Sequence, residues 1–275
     1  MTLFQGLVLA LLQGLTELFP VSSLGHAVLA PALLRWPFNE ADPAFLPFLV
    51  ALHLGTAVAL LLYFRRDWAA FISALAQRGE QARATRHVLW LLVVGTVPAG
   101  LIGAAFEHTL RSGFASPFLA AVFLAVNGII LFAAERLRRR GNQTKPLSAA
   151  GWVDALLIGI SQAAALIPGI SRSGATMVGG LLRGLDHEEA ARFSFLLGTP
   201  VIGGAALLEI PKLFTHSTRV IPFSTVAIAS VVAGVTAYLS AAFLMRYFRK
   251  REVDALNPFA AYCTIAGLIA LALLR

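Results

Sequence analysis

The chain carries little charge and almost no cysteine. Of its 275 residues, 13% are charged and one is cysteine, whereas 58% are hydrophobic. Ordinary soluble domains are about 45–50% apolar and about 25% charged, so the composition excludes a soluble globular enzyme. Because Cys263 stands alone, neither a disulfide framework nor a cysteine-based metal site can form within one chain.

Acidic residues are scarcer than basic ones. There are 14 Asp and Glu against 22 Lys and Arg, a net charge of +8. In a soluble protein such a balance would indicate nucleic acid, but with a mean hydropathy of +0.77 it indicates cytoplasmic loops of a membrane protein. We therefore expect no nucleic-acid partner. The basic residues concentrate in segments 65–87, 135–146 and 246–251, which we place in the cytoplasm.

Apolar stretches long enough to cross a bilayer, about 17–25 residues, predict an all-α integral membrane protein with six transmembrane helices. They lie at 45–64, 88–106, 117–134, 190–210, 222–245 and 257–274, and glycines and Pro200 weaken the fourth. Residues 1–34 and 151–182 are also apolar, but each is broken near its middle by proline and serine. With the basic segments inside, both are predicted to be re-entrant hairpins that enter from opposite faces.

The two halves of the chain, 1–146 and 147–275, are predicted to form an inverted repeat within one membrane domain. The same pattern recurs in both broken stretches, where Gln13, Ser22 and Gly25 match Gln162, Ser171 and Gly174 in order. Each half contains a hairpin and three spans, and the odd number of spans inverts the second half. Such folds place their site where interrupted helices meet near the bilayer midplane.

The first break contains a carboxylate within an apolar stretch. Gln13 and Glu17 are four residues apart and share one helix face. A carboxylate at this depth is costly unless it is paired, solvated or bound to a cation, so Glu17 is a functional candidate, with an interfacial position or an ion pair between hairpins as alternatives. Ser22 or Ser23 can cap the helix that follows. His26 shares a face with Ser23 and is either a packing residue or part of the site.

The second break contains an arginine among hydroxyl groups. Its members are Ser171, Arg172, Ser173, Gly174 and Thr176. The planar guanidinium suits carboxylate or phosphate oxygens, and the N–H groups of a new helix can face an anion. The segment resembles a phosphate cradle, although it lacks the Gly-Lys-Ser/Thr signature of a P-loop. The alternative is that Arg172 only pairs with Glu17.

Together the breaks supply the groups that phosphoryl transfer requires. An arginine and a divalent cation can offset the charge of phosphoryl oxygens while a nucleophile attacks in line. Glu17 and Gln13 could hold Mg²⁺ or Ca²⁺ through oxygen ligands. Ser23 or His26 could attack phosphorus, or either could orient a water molecule; the residues alone leave these alternatives open.

Two motifs carry a family resemblance. Gln13-Gly-Leu-Thr-Glu17 with Pro20-Val-Ser-Ser-Leu-Gly-His26, and Pro168-Gly-Ile-Ser-Arg-Ser-Gly-Ala-Thr176, resemble the signatures of the bacterial undecaprenyl-pyrophosphate phosphatases, the bacitracin-resistance membrane family. The signatures are Glu/Gln-x-x-x-Glu and Pro-Gly-x-Ser-Arg-Ser-x-x-Thr. The resemblance covers essentially the whole chain.

The resemblance implies an enzyme of the bacterial inner membrane that opens to the periplasm and depends on a divalent cation. It would hydrolyse undecaprenyl pyrophosphate to the monophosphate and inorganic phosphate, which recycles the lipid carrier of cell-wall synthesis. The implied catalytic residues are Glu17, Ser23, His26 and Arg172, with Ser23 favoured as nucleophile because it lies closest to the hairpin tip. The implied metal pair is Glu17 and Gln13. The implied pyrophosphate-binding residues are Ser22, Ser171, Ser173, Gly174 and Thr176; a homodimer is left open.

Two other classes of protein fit parts of the pattern. Secondary transporters are also built from inverted repeats with broken helices at the midplane, so a transporter or flippase for a polyprenyl phosphate is the main alternative. A purely structural membrane protein has no reason to keep an arginine and a glutamate at hairpin tips.

Overall fold

The computed structural model describes residues 1–36, 45–105, 116–139, 144–212 and 221–274. Within these ranges the chain is helical, and strand pairing is limited to an isolated bridge between Lys145 and Leu185. The α-helices are, in chain order, α1 (Leu3–Thr16), α2 (Ser23–Leu33), α3 (Phe45–Tyr63), α4 (Arg65–Ala76), α5 (Glu80–Ala105), α6 (Pro117–Arg138), α7 (Trp152–Ala163), α8 (Arg172–Leu182), α9 (His187–Lys212), α10 (Phe223–Lys250) and α11 (Asn257–Leu273). Short 3₁₀ turns cover Leu147–Ala149 and Ala164–Leu166.

In the described part of the chain three helices, α5, α6 and α10, are long and apolar enough to cross a membrane, and α3 with α4 makes a fourth if this pair, bent by 69°, is counted as one span. The predicted all-α, multi-pass architecture is confirmed at this level. Val231, Val235 and Leu239 follow one stripe of α10 and are each more than half exposed. A continuous apolar stripe on the outside of the molecule suits contact with lipid rather than water.

Helices extend further than the apolar runs that predicted them. The basic segment 65–87, expected to be a loop, contains α4 and the start of α5. α4 is amphipathic: Phe71 is buried whereas Arg65 is exposed, so a search for uniformly apolar runs misses it. α9 continues through Pro200, which was expected to weaken it, because neighbouring helices can compensate for the one backbone hydrogen bond that proline removes.

Ion pairs join the basic segments to one another. The pairs are Asp67 with Arg192, Glu188 with Arg249, Asp154 with Lys145, and Asp154 with Arg183. Through these contacts the segments 65–87, 135–146 and 246–251 are all connected to residues 183–192. The segments that the charge pattern assigned to one side of the membrane therefore lie together at one end of the molecule.

Small residues allow the long helices to approach closely. A Cβ atom at Gly55 of α3 would lie 2.1 Å from the Ser230 carbonyl oxygen of α10, and one at Gly128 of α6 would lie 2.5 Å from the Ala260 carbonyl oxygen of α11. Close backbone contact through small residues is how helices pack when lipid removes the usual hydrophobic driving force. The helices of the pairs α3 with α10 and α6 with α11 are thus closely packed.

Candidate active site

Each broken stretch folds as two short helices joined by a proline-containing turn. Ser22 and Ser171 cap α2 and α8 in the same way: each side-chain oxygen accepts a hydrogen bond from the N–H three residues later, that of Gly25 at 3.2 Å and that of Gly174 at 3.1 Å. Serine is among the preferred residues for this role. Because Ser22 caps α2, the neighbouring Ser23 hydroxyl is free for another partner.

The two turns contact one another. The Ser171 hydroxyl donates to the Phe19 carbonyl oxygen at 3.4 Å, and a Cβ atom at Gly174, near the start of α8, would lie 3.3 Å from the Pro20 Cβ atom of the first turn. Asn127 of α6 fastens both: its Nδ2 donates to the Pro20 carbonyl oxygen at 2.9 Å, and its Oδ1 accepts from the Ser171 N–H at 3.0 Å. Asn127 was not among the predicted site residues; its only sequence signal is an amide inside the apolar run 117–134.

Glu17 lies directly after α1, and its carboxylate is buried. The Oε2 atom accepts hydrogen bonds from the Ser23 hydroxyl at 2.6 Å and from Gln13 Nε2 at 3.0 Å. The second contact follows from the four-residue spacing of Gln13 and Glu17 on one helix face. The carboxylate of the first turn is therefore in direct contact with the hydroxyl of the helix that follows it.

Arg172, the first residue of α8, reaches from the second turn to the first. Its Nε and Nη2 atoms donate to Glu17 Oε1 at 3.3 and 3.2 Å, and its Nη1 donates to the Ser194 carbonyl oxygen at 3.1 Å. The ion pair that sequence analysis gave as an alternative is thus present. A guanidinium has five N–H groups, and these three contacts leave two of them for an anion.

The remaining hydroxyl groups of the second motif mainly form hydrogen bonds within the protein. The Ser173 hydroxyl donates to the Phe19 carbonyl oxygen at 3.0 Å, which adds a further contact between the two turns. The Thr176 hydroxyl lies 2.5 Å from the Ser194 hydroxyl. The Gly174 N–H is used by the cap of α8. These three residues stabilise the turn that presents Arg172, and their predicted contact with pyrophosphate stays a prediction.

His26 contacts α11 instead of the Glu17 cluster. Its Nδ1 donates to the Ser22 carbonyl oxygen at 2.7 Å, and its Nε2 lies 2.7 Å from the Tyr262 hydroxyl. The imidazole also stacks on the Tyr262 ring, with 5.7 Å between ring centroids. Both ring nitrogens are therefore engaged away from Ser23, although both residues belong to α2.

His53 of α3 is a member of the cluster that sequence analysis missed. Its Nε2 lies 3.3 Å from Glu17 Oε2, and its Nδ1 donates to the Leu49 carbonyl oxygen at 2.8 Å. A single histidine in an apolar span has no spacing signal, and only the fold brings α3 beside the first turn. Glu17 thus lies between a guanidinium and an imidazole.

These groups line one cavity with a volume of about 260 Å³. Its polar wall consists of Glu17, Ser22, Ser23, His53, Gln162, Ser171 and Arg172. The rest of the wall is apolar and comes from four helices and the second turn, with side chains that include Leu24, Leu49, Ala99, Leu166, Ile170, Val201 and Ile202. A wall that combines a compact charged cluster with an extended apolar surface suits an amphiphile that carries an anionic group.

The oxygen donors of the site are few. Within the described residues, no three His, Cys, Asp or Glu side chains cluster as a metal site would require. Glu17 offers a carboxylate, and Gln13 offers a buried Oε1 atom that has no hydrogen-bond partner. Since Mg²⁺ is usually held by one or two carboxylates together with substrate phosphates, this donor set fits a cation shared with a phosphate-bearing ligand.

The family of the chain follows from comparison with known proteins. The family model described as "Bacitracin resistance protein BacA" matches residues 6–269. The chain belongs to the BacA family. The undecaprenyl-diphosphatases of Acidiphilium cryptum and Granulibacter bethesdensis are 54% and 53% identical to it, each over 100% of this chain and 99% and 98% of the relative. Undecaprenyl-diphosphatase 2 of Chromobacterium violaceum is 47% identical over 98% of both chains.

Membership of the BacA family confirms the resemblance drawn from the two motifs. Those motifs contribute Glu17, Ser23 and Arg172, the three side chains that form one hydrogen-bonded cluster. A hydroxyl 2.6 Å from a carboxylate is the arrangement in which the carboxylate can take the proton of an attacking oxygen. An adjacent guanidinium can stabilise negative charge that develops on phosphoryl oxygens.

Proposed function

We propose that the chain hydrolyses undecaprenyl pyrophosphate to undecaprenyl phosphate and inorganic phosphate, which recycles the lipid carrier of cell-wall synthesis. The observation that carries the proposal is the hydrogen bond from the Ser23 hydroxyl to Glu17, beside Arg172, in a cavity that is largely apolar elsewhere. The relatives named undecaprenyl-diphosphatase match almost the entire chain, so the proposed activity extends to the whole protein.

In the proposed reaction Ser23 is the nucleophile. Glu17 takes the hydroxyl proton while Ser23 Oγ forms a bond to the terminal phosphorus, and the anhydride P–O bond breaks with its electron pair going to the leaving lipid monophosphate. The two remaining N–H groups of Arg172 bind phosphoryl oxygens as charge shifts toward the leaving group. Glu17 passes the serine proton to the leaving lipid monophosphate and then takes a proton from a water molecule, whose oxygen forms a bond to the phosphorus of the phosphoserine. The P–O bond to Ser23 breaks with its electron pair going to Oγ, which takes the proton back from Glu17; inorganic phosphate is released and Ser23 is restored.

A divalent cation fits this site as a companion of the substrate. The groups that would hold it are the Glu17 carboxylate and the buried Gln13 Oε1, which has no hydrogen-bond partner among the described residues. Bound there together with the pyrophosphate, Mg²⁺ or Ca²⁺ would withdraw charge from the phosphoryl oxygens. Gln13 supplies an oxygen without a charge, so Arg172 is the cationic group of the protein bonded to Glu17, with the His53 imidazole 3.3 Å from the same carboxylate.

We propose for the fold that the two broken stretches are re-entrant hairpins related by an inverted repeat, together with six spans. The matching caps at Ser22 and Ser171 and the contact of the two turns support this arrangement. The basic end of the molecule is proposed to face the cytoplasm, and the cavity to open to the periplasm of an inner membrane. Association as a homodimer stays a prediction.

The proposed function is tested by phosphate release. Purified protein in detergent with Mg²⁺ or Ca²⁺ should release one phosphate from each molecule of a C55 or shorter polyprenyl pyrophosphate, and chelation of the cation should stop the release. Glu17→Gln keeps the shape of the side chain but removes the base, so release should fall to background. If neither the wild-type protein nor Glu17→Gln releases phosphate while both bind the lipid equally, the phosphatase function is excluded, and the transporter alternative is favoured.

Gly198 provides a test of how closely Arg172 must be placed. A Cβ atom at Gly198 of α9 would lie 2.8 Å from Arg172 Nη2 and 2.9 Å from Nη1. We expect Gly198→Ala to push the guanidinium off its position and lower kcat/KM about ten- to hundredfold, with little change in melting temperature. Gly203→Ala is the control, because a Cβ atom at Gly203 of the same helix meets no described atom within 4 Å. Equal activity of both variants would contradict the claim that catalysis depends on the position of the Arg172 guanidinium.

A further inference from the structure

Gln162 is the one polar side chain of the cavity wall, in the described part of the chain, whose polar atoms make no hydrogen bond. It lies on α7 and is 2% exposed, and neither its Nε2 nor its Oε1 has a partner. A buried amide without partners destabilises a fold, because it has lost its hydrogen bonds to water and gained none. A ligand in the cavity would supply the hydrogen-bond partners that the protein does not.

The sequence explains why Gln162 has no partner. Its counterpart in the first half of the chain is Gln13, which donates to Glu17, the residue four positions later on the same helix face. The residue four positions after Gln162 is Leu166, whose side chain accepts no hydrogen bond. The glutamine of the first half therefore donates to a carboxylate, whereas the matching glutamine of the second half makes no hydrogen bond among the described residues.

Several neighbouring donors of the cavity are already in use. The Ser23 hydroxyl donates to Glu17, and three N–H groups of Arg172 are bonded to Glu17 and Ser194. A pyrophosphate presents only acceptor oxygens to the protein and needs several donors at once. The two N–H groups of Gln162 can donate without the loss of an existing contact, as can the two remaining N–H groups of Arg172.

We propose that Gln162 is a substrate-binding residue that donates to the oxygens of the pyrophosphate group, at the cavity wall contributed by the second half of the chain. The inference rests on the proposed function and extends it by one residue outside both motifs. The prenyl chain is not the partner, since hydrocarbon would leave the amide unsatisfied. Because the contact is made in the ground state and retained in the transition state, it acts on KM more than on kcat.

The test is Gln162→Leu, which keeps the volume and removes the amide. We expect KM to rise about ten- to hundredfold, the effect of losing a hydrogen bond to a charged group, while kcat changes less than about threefold. The rise should be equal for C15 and C55 pyrophosphates, which share only the headgroup. The melting temperature should stay the same or increase, because the free protein loses no hydrogen bond. Gln81→Leu, at an exposed position outside the site, is the control and should match wild type.

Each other result overturns the inference. An unchanged KM shows that the amide does not contact substrate, and a rise confined to the C55 lipid places it on the path of the prenyl chain. A lower melting temperature assigns Gln162 a structural role. Wild-type protein that releases no phosphate refutes the proposed function itself, whereas active wild type with an equally active Gln162→Leu refutes only this inference.

Discussion

Arg172→Ala should lower kcat for phosphate release by about a thousandfold, equivalent to about 4 kcal/mol of transition-state stabilisation. The reason is that its guanidinium is the cation bonded to Glu17 and has two N–H groups left for phosphoryl oxygens. Arg172→Lys should recover only part of this loss, since an ammonium restores charge but not the planar fork. Steady-state kinetics in detergent measure both variants.

The arginine control is Arg192 of α9, which does not line the cavity. Arg192 also forms an ion pair, with Asp67, but lies among the basic segments and is more exposed than Arg172. Arg192→Ala should keep near wild-type kinetics, because pairs of this kind contribute only about 0–1 kcal/mol to stability. Thermal unfolding of Arg172→Ala separates loss of catalysis from loss of folding. Near-normal turnover of a folded Arg172→Ala protein would contradict the role of Arg172 in transition-state stabilisation.

Ser23→Ala and His26→Ala should differ sharply. Ser23→Ala removes the hydroxyl that donates to Glu17 at 2.6 Å, and we expect kcat to fall at least about a thousandfold with KM little changed. His26→Ala should cost less than about tenfold, because both nitrogens of that imidazole are bonded to Ser22 and Tyr262. Single-turnover phosphate release with each variant gives the comparison.

Tyr262→Phe provides the matched control for His26. It removes the hydroxyl bonded to His26 Nε2 and keeps the stacked ring, so its effect should be as small as that of His26→Ala. The opposite pattern, with Ser23→Ala active and His26→Ala inactive, would show that His26 and not Ser23 is the nucleophile.

The sequence predicts the parts of the site that depend on local chemistry. Proline and serine end one helix and cap the next, so the breaks before Ser23 and Arg172 occur close to where the pattern placed them. Gln13 and Glu17 meet because four residues make just over one helical turn. A carboxylate and a guanidinium inside apolar stretches also need partners, and the structure pairs them with each other.

Other parts of the site depend on contacts between distant segments. His53 approaches Glu17, and Asn127 fastens both turns, only because α3 and α6 pack beside them. No spacing in the sequence encodes these distances. The hydroxyls of Ser173 and Thr176 look like anion donors in the motif, yet the fold uses them for its own carbonyl and hydroxyl groups. Local pattern gives the type of group, and tertiary packing decides its partner.

The proposed reaction requires one pyrophosphate to reach Glu17, Ser23 and Arg172 together. The most direct measurement is an experimental structure with a prenyl methylene-diphosphonate, in which carbon replaces the bridging oxygen and prevents cleavage. We expect its terminal phosphorus to lie about 3–3.5 Å from Ser23 Oγ, the separation of reacting atoms before attack, with phosphonate oxygens on Arg172. A diphosphonate bound beside His26 and Tyr262, or among the basic segments, would contradict the proposed site.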